Sequence, residues 1–122
     1  MKAGIIGWPG GGRDAIFSAL TGLARPPFGS ADPRQGEALV PDARLDKLSA
    51  LYQPKKHTPA RVEFLLPHPL GLAKEVIKTS LEKVRETDAL LVVLRNFVLE
   101  GEPDPSPAKE MADLESELIL SD

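Results

Sequence analysis

"GIIGWPGGGRDAIFSAL", residues 4–20, decides how this chain reads. An apolar run ends in a cluster of glycines, and a helical pattern follows at once. Gly7 and Gly12 stand at the Gly-x-x-x-x-Gly spacing of a phosphate-binding P-loop. Such a loop works because its backbone N–H groups converge at the positive end of a helix. Glycines allow the turn and let phosphate come close. The chemistry lies in the next two residues, a Lys for the β- and γ-phosphates and a Ser or Thr for Mg²⁺. Here they are Arg13 and Asp14. Arg13 keeps the charge on a longer planar fork. A carboxylate at position 14 can ligate Mg²⁺, yet it brings negative charge to a site built for phosphate. It can equally cap the helix that it opens. Two readings therefore stand side by side, a nucleotide site and a glycine turn capped by its own aspartate. A third is weaker. Gly10-Gly11-Gly12-Arg13-Asp14-Ala15 matches G-x-G-x-x-A, the dinucleotide fingerprint, but its acidic partner, Asp32, lies in a proline-rich loop rather than at a strand end.

The rest of the chain sets the frame. Its 122 residues suit one domain, 1–122, with a single core. The net charge of -3 is not the basic excess of a protein that lives on nucleic-acid phosphates. There is no cysteine, which excludes disulfides and thiolate metal sites and suits a cytoplasmic protein. The N-terminus lacks the features of a signal peptide, and no apolar stretch reaches the roughly 18 residues of a membrane span. His57 and His68 sit apart, and no metal constellation is visible.

Secondary structure follows from periodicity and punctuation. Strands are expected at 2–6, 37–40, 60–66 and 88–97. The last, "DALLVVLRNF", is a continuous apolar run, which marks a strand covered on both faces. Helices are expected at 13–22, with Ile16, Phe17, Leu20 and Leu23 on one stripe, and after Asp42, with Leu45, Leu48, Leu51 and Tyr52 at helical spacing. Further helices span 72–86 and follow Ser106-Pro107, with Met111, Leu114 and Leu118 inward. Alternating strands and helices predict an α/β domain with a mostly parallel sheet flanked by helices.

Several blocks then point to one family. "GIIGWPGGGRDAIFSALTG" resembles the opening of the YchF/Obg-type GTPases, about GxVGLPNVGKSTLFNALT. "RPPFGSADPRQGEALVPDARLDKLSALYQPKK" resembles the family's YPFCTIEPNxGVVxVPDPRLDxLAxxxxPxK. "VRETDALLVVLRNF" is similar to its IRETDAIxHVVRCF, and "VEFLLPHPLGL" sits where a strand runs into a D-x-x-G motif. The match is nearest to the YchF branch and covers nearly the whole chain. It implies a Ras-like P-loop NTPase fold, here ending before the base-recognition motif, so apparently incomplete at its C-terminus. It also implies GTP or ATP with Mg²⁺ as ligand, and the ribosome or a translation factor as partner.

By position, the resemblance places Gly7, Pro9, Gly10, Gly11, Gly12, Arg13, Asp14 and Ala15 around the phosphates, with Asp14 in the place of the metal-ligating Ser. Ser30 falls where switch I has its Thr. Leu66 falls where the D-x-x-G Asp belongs, and Pro69 where its Gly belongs. Phosphoryl transfer is mostly positioning and charge neutralisation around Mg²⁺, so these departures predict weak or absent hydrolysis. The alternative is a non-binding pseudo-GTPase that serves as a protein-interaction module.

Other residues have plainer roles. Trp8 covers the start of the first helix, or stacks on a base or partner. Phe28, after Pro26 and Pro27, resembles the family's PF pair at switch I, and is read equally as a staple into the core or as a ligand contact. Arg44, Lys47, Lys55, Lys56, His57 and Arg61 form a basic cluster, a solvated face by default and an RNA- or ribosome-facing patch otherwise. Arg85, Glu86 and Asp88 cap the junction between helix and strand. A sheet edge left open invites pairing, so a homodimer is expected.

Overall fold

Ile5 and Ile6 are adjacent in an extended segment, so their side chains leave opposite faces of the sheet. That alternation builds two apolar layers around one strand. The computed structural model describes residues 1–25, 33–56 and 59–121. Its elements run β1 (Lys2–Gly7), α1 (Arg13–Thr21), β2 (Arg34–Leu39), α2 (Ala43–Tyr52), β3 (Arg61–Leu66), α3 (Lys74–Arg85), β4 (Ala89–Val93) and α4 (Pro107–Leu120). The sheet order is β2-β3-β1-β4. β1 pairs in parallel with β3 and β4, while β2 runs antiparallel to β3. This is the expected α/β class with a mostly parallel sheet.

On one face, Ile5, Leu66 and Val93 pack with Phe17 of α1. On the other, Ile6, Leu70, Val84 and Leu114 pack together, ringed by Trp8, Ile77, Val92, Met111 and Leu118. The sheet is thus covered by α1 on one side and by α3 and α4 on the other. Met111, Leu114 and Leu118 face inward as their spacing predicts. On the α1 stripe only Phe17 is buried, whereas Ile16, Leu20 and Leu23 are exposed.

Junctions are fixed by local chemistry. Gly22 closes α1 at φ 73°, its N–H donating to Ser18 O. The Asp42 carboxylate caps α2 by accepting the Arg44 N–H at 2.9 Å. The Asp88 carboxylate accepts the Lys2 N–H at 2.9 Å, and the Asp88 N–H donates to Lys2 O at 2.8 Å, which clamps the entry of β4 to β1. Ser106 occupies the N-cap position of α4, with Pro107 behind it, but its side chain makes no cap bond.

Three expectations are corrected. The second strand begins at Arg34 rather than residue 37, because antiparallel pairing with β3 recruits the preceding polar residues. α2 forms where expected but buries none of its residues, so Leu48, Leu51 and Tyr52 are exposed rather than core. The apolar run 88–97 gives a strand only over 89–93, and Leu90 and Leu91 are exposed rather than covered. β4 ends the described sheet and has β1 as its one partner there, so it lacks the second neighbour that covers a central strand. Ser30, Asp32, Phe28 and His57 lie outside the described residues.

Candidate functional site

β1 delivers the chain to the loop at Gly7, which is buried because it has no side chain. A Cβ there would meet Val93 O at 2.6 Å and the Arg13 side-chain methylenes at 3.2 and 3.3 Å. Beyond Pro9, Gly10 adopts φ 74° and Gly12 φ 93°, a left-handed conformation that side chains resist. The Gly11 N–H donates to Trp8 O at 3.3 Å and tightens the turn. Gly12 is the N-cap of α1, and no side chain caps the helix. The proposed self-cap by Asp14 is therefore corrected: its carboxylate sits in the first turn without taking that bond. The first rung of the helix runs from the Ile16 N–H to Gly12 O at 3.1 Å. The amides of Gly12, Arg13, Asp14 and Ala15 are left over from the ladder, as at any helix start. All eight loop positions singled out in the sequence, Gly7, Pro9, Gly10, Gly11, Gly12, Arg13, Asp14 and Ala15, lie on this one turn.

Arg13 does not extend into solvent from it. The residue is 6% exposed. Its Nη1 donates to Pro67 O at 2.9 Å and, more weakly, to Ile5 O at 3.5 Å. The guanidinium thus lies beneath the loop and bridges β1, α1 and the segment after β3. Burial pushes it below the usual arginine range, and the carboxylate of Asp14 acts in the opposite direction.

The segment after β3 is packed against the same turn. Leu66 is fully buried and belongs to the α1-side core. Pro67 and Pro69 are buried, and the Leu70 N–H donates to Gly7 O at 3.0 Å. Trp8 does not cover the start of α1, as the sequence suggested. Its ring joins the opposite core layer, and its Nε1–H donates to Glu110 O of α4 at 3.2 Å.

Arg95 was missed in the sequence. It is 9% exposed, with Nη1 donating to Phe97 O at 3.1 Å and Nη2 to Pro103 O at 2.7 Å. Its backbone N–H donates to the Glu110 carboxylate at 2.8 Å. A lone arginine ending the run "LLVVLRNF" was the signal for it. Together Trp8 and Arg95 tie the loop side of the sheet to the first turn of α4.

Two cavities lie away from the loop. One of about 670 Å³ runs between α3 and α4 over Leu72, Ile77, Leu81 and Leu120. The other, about 260 Å³, lies beside Pro67, His68, Thr79 and Ser80. Among the described residues no three His, Asp or Glu side chains converge as a metal site. Among them, too, no helix is long and apolar enough to cross a membrane.

A β-strand running through a glycine loop into a helix, in a sheet of order β2-β3-β1-β4 with β2 reversed, defines a Ras-like P-loop α/β domain. The reversed β2, paired with β3 and not with β1, also removes the dinucleotide-fold alternative, which needs a parallel βαβ unit there. Comparison with known proteins narrows the class. The chain is 36% identical to a ribosome-binding ATPase YchF of Bacillus subtilis over 138 aligned residues, which cover 100% of this chain and 37% of that protein. It is 32% identical to Obg-like ATPase 1 of Schizosaccharomyces pombe, covering 100% of this chain and 34% of that protein. The solved structure of the Schizosaccharomyces pombe YchF GTPase matches with a TM-score of 0.68 and 28% identity, over 98% of this chain and 35% of that one. No protein-family model matches. The chain is homologous along its whole length to the YchF/Obg-like ATPases, and spans about a third of the length of the relatives it matches.

Proposed function

We propose that this domain is a cytoplasmic, YchF-like nucleotide-binding module that holds the phosphates of GTP or ATP on its loop amides and hydrolyses them weakly or not at all. The observation that carries this reading is the division of labour at α1. The amides of Gly12–Ala15 stand free of the helical ladder behind a left-handed Gly12, while the guanidinium of Arg13 is committed beneath them to Pro67 O. Phosphate thus meets backbone dipoles and no side-chain cation from position 13.

The phosphate half of a nucleotide site fits these residues; the metal half fits poorly. Asp14 stands where the resemblance puts a Mg²⁺-ligating hydroxyl, and its charge opposes the phosphates at least as much as it attracts a cation. Leu66, fully buried among Ile5, Phe17 and Val93, stands where a carboxylate would support the metal through water. No step of hydrolysis is assigned to Mg²⁺ for that reason. Ser30, the switch I position, remains part of the proposal on sequence alone.

Relatives from Bacillus subtilis and Escherichia coli carry the name ribosome-binding ATPase. Association with the ribosome or a translation factor is the corresponding partner expectation here. The rival reading, an interaction module that binds no nucleotide, draws on one specific feature: α2, which has no fully buried residue.

Calorimetric titration with GTP, GDP and ATP, with Mg²⁺ and again with EDTA, decides between them. Binding that persists in EDTA is the expected result, because the cradle is made of amides. Binding abolished by EDTA would assign the metal to Asp14. No heat for any of the three at millimolar ligand would remove the nucleotide reading and leave the interaction module.

A further inference from the structure

Charge is segregated along this chain more sharply than its small net value suggests. Residues 43–61 hold five cations, Arg44, Lys47, Lys55, Lys56 and Arg61, against the single carboxylate of Asp46. Residues 99–121 hold seven carboxylates against the single cation of Lys109. The first stretch contains α2 and the second contains α4. The two stretches are thus opposite in charge, although α2 itself holds only Arg44 and Lys47 against Asp46, while α4 holds four carboxylates against Lys109.

Both stretches also expose apolar surface. On α2, Leu48 is 52% exposed, Leu51 72% and Tyr52 74%. At about 100° per residue, Arg44, Lys47, Leu48 and Leu51 share one outward arc of the helix. Leu45 and Ser49 are the half-buried positions of the opposite arc. On α4, Ile119 is 72% exposed and Leu120 81%. Ala108, Ala112, Glu115 and Ile119 fall together on one exposed arc, with Asp113 about 100° further round, while Leu114 points into the core. Lys47, Lys55, Lys56, Asp113 and Glu115 take no part in the ion pairs Arg44–Asp42 and Arg61–Glu37.

We infer that the outward face of α2 docks on the outward face of α4 of a second copy of this chain. Large side chains on one helix meet small ones on the other, Leu48 and Leu51 over Ala108 and Ala112, which lets two helices approach closely. Arg44 and Lys47 then lie toward Glu115. Exposed leucines between cations are poorly served by a nucleic-acid backbone, which offers phosphate but nothing to bury them against. An acidic helix with small apolar residues serves both demands, and this chain supplies one. Reciprocated about a two-fold axis the contact closes as a dimer. This differs from pairing through the edge of β4, because helix faces rather than open strand backbone make the contact.

The experiment is sedimentation equilibrium of the 122-residue chain up to ~1 mM, at low (~50 mM) and high (~500 mM) salt. Concentration-dependent self-association is expected, weakened roughly tenfold or more by the higher salt. Lys47→Glu and Glu115→Lys each change an exposed residue and should each lower self-association roughly tenfold or more. The decisive arm mixes the two variants. The intact α2 of Glu115→Lys then faces the intact α4 of Lys47→Glu, and association should be stronger in the mixture than in either variant alone. A monomer at the highest concentration in low salt overturns the inference. So does an oligomer indifferent to both reversals, which would place the contact elsewhere, at β4 for example. If the chain stays monomeric while a fluorescein-labelled single-stranded RNA of ~20 nucleotides binds and is released by Lys47→Glu, the basic stretch serves nucleic acid and the inference fails.

Discussion

Replacing Arg13 by Met separates two roles that the P-loop motif confounds. In the fold, Arg13 is a strut: 6% exposed, with its guanidinium on Pro67 O at 2.9 Å and its stem against Gly7. Met keeps most of the stem and removes the charged fork. Two effects then compete. Pro67 O loses a charge-assisted donor, which costs about 1.5–3 kcal/mol. Against this, a buried cation without a close carboxylate partner carries a desolvation penalty that its removal relieves. At 6% exposure Arg13 is largely removed from water, and burial pushes its pKa down against the opposing effect of Asp14. The net expectation is a loss of about 1–2 kcal/mol for Met. For Ala, which also empties the space beside Gly7, it is about 3 kcal/mol. Urea unfolding followed by far-UV circular dichroism measures it. With a slope of about 2 kcal/mol/M the Met variant should unfold roughly 0.5–1 M earlier. Nucleotide affinity, titrated on the folded variant, should change less than threefold. An unchanged midpoint with a tenfold fall in affinity would refute the argument, because the guanidinium would then act on phosphate and not on Pro67.

Four further variants test the turn and its contact with α4. Gly7→Ala places a Cβ 2.6 Å from the backbone oxygen of Val93, so β1 and β4 must separate; a loss of about 3 kcal/mol or more, read as an early urea midpoint, is expected. Trp8→Phe removes the Nε1–H bond to Glu110 O and should cost about 1 kcal/mol. Because Trp8 is the only tryptophan, its emission in the unaltered chain reports the same contact, and it should shift to the red when Glu110 is moved by Leu114→Ala. Asp14→Ser removes a carboxylate from the first turn of α1 and restores a hydroxyl. Calorimetry should find Mg²⁺-nucleotide binding tightened roughly tenfold or more, whereas unchanged binding would show that the ligand does not approach that turn.

The order of elements was legible because each boundary carries a local signal. Gly22 closes α1, Asp42 caps α2, and the prolines at 67 and 69 stop β3. The inward side of α4 was legible for a similar reason, since Met111, Leu114 and Leu118 repeat at helical spacing. What periodicity could not give was what each face meets. Leu45, Leu48, Leu51 and Tyr52 form as regular a pattern as the core helices, yet α2 links two antiparallel neighbours and fully buries none of these residues, with Leu45 half-buried. The apolar run 88–97 promised a covered strand, but its cover depends on a neighbour beyond β4. Trp8 and Arg95 escaped for another reason. Both are single residues whose partners carry no repeating pattern: Glu110, far along the chain, for Trp8, and Phe97, Pro103 and Glu110 for Arg95. A single residue has no period, so its direction is decided only by the fold.

The P-loop pattern itself separates into two parts once the geometry is known. Gly7 is required by packing, because β4 passes too close for any Cβ. Gly10 and Gly12 are required by backbone conformation, at φ 74° and 93°. None of these demands involves a nucleotide. Gly7 and Gly12 serve strand passage and the turn into α1, whatever the loop binds. Positions 13 and 14 are free of those demands, and both differ from the family pattern: one side chain is turned under the loop, the other adds a negative charge. The glycine spacing therefore identifies the fold. Whether a phosphate is held depends on four amides at the head of α1, and the Arg13 and Asp14 variants address those amides from below and from in front.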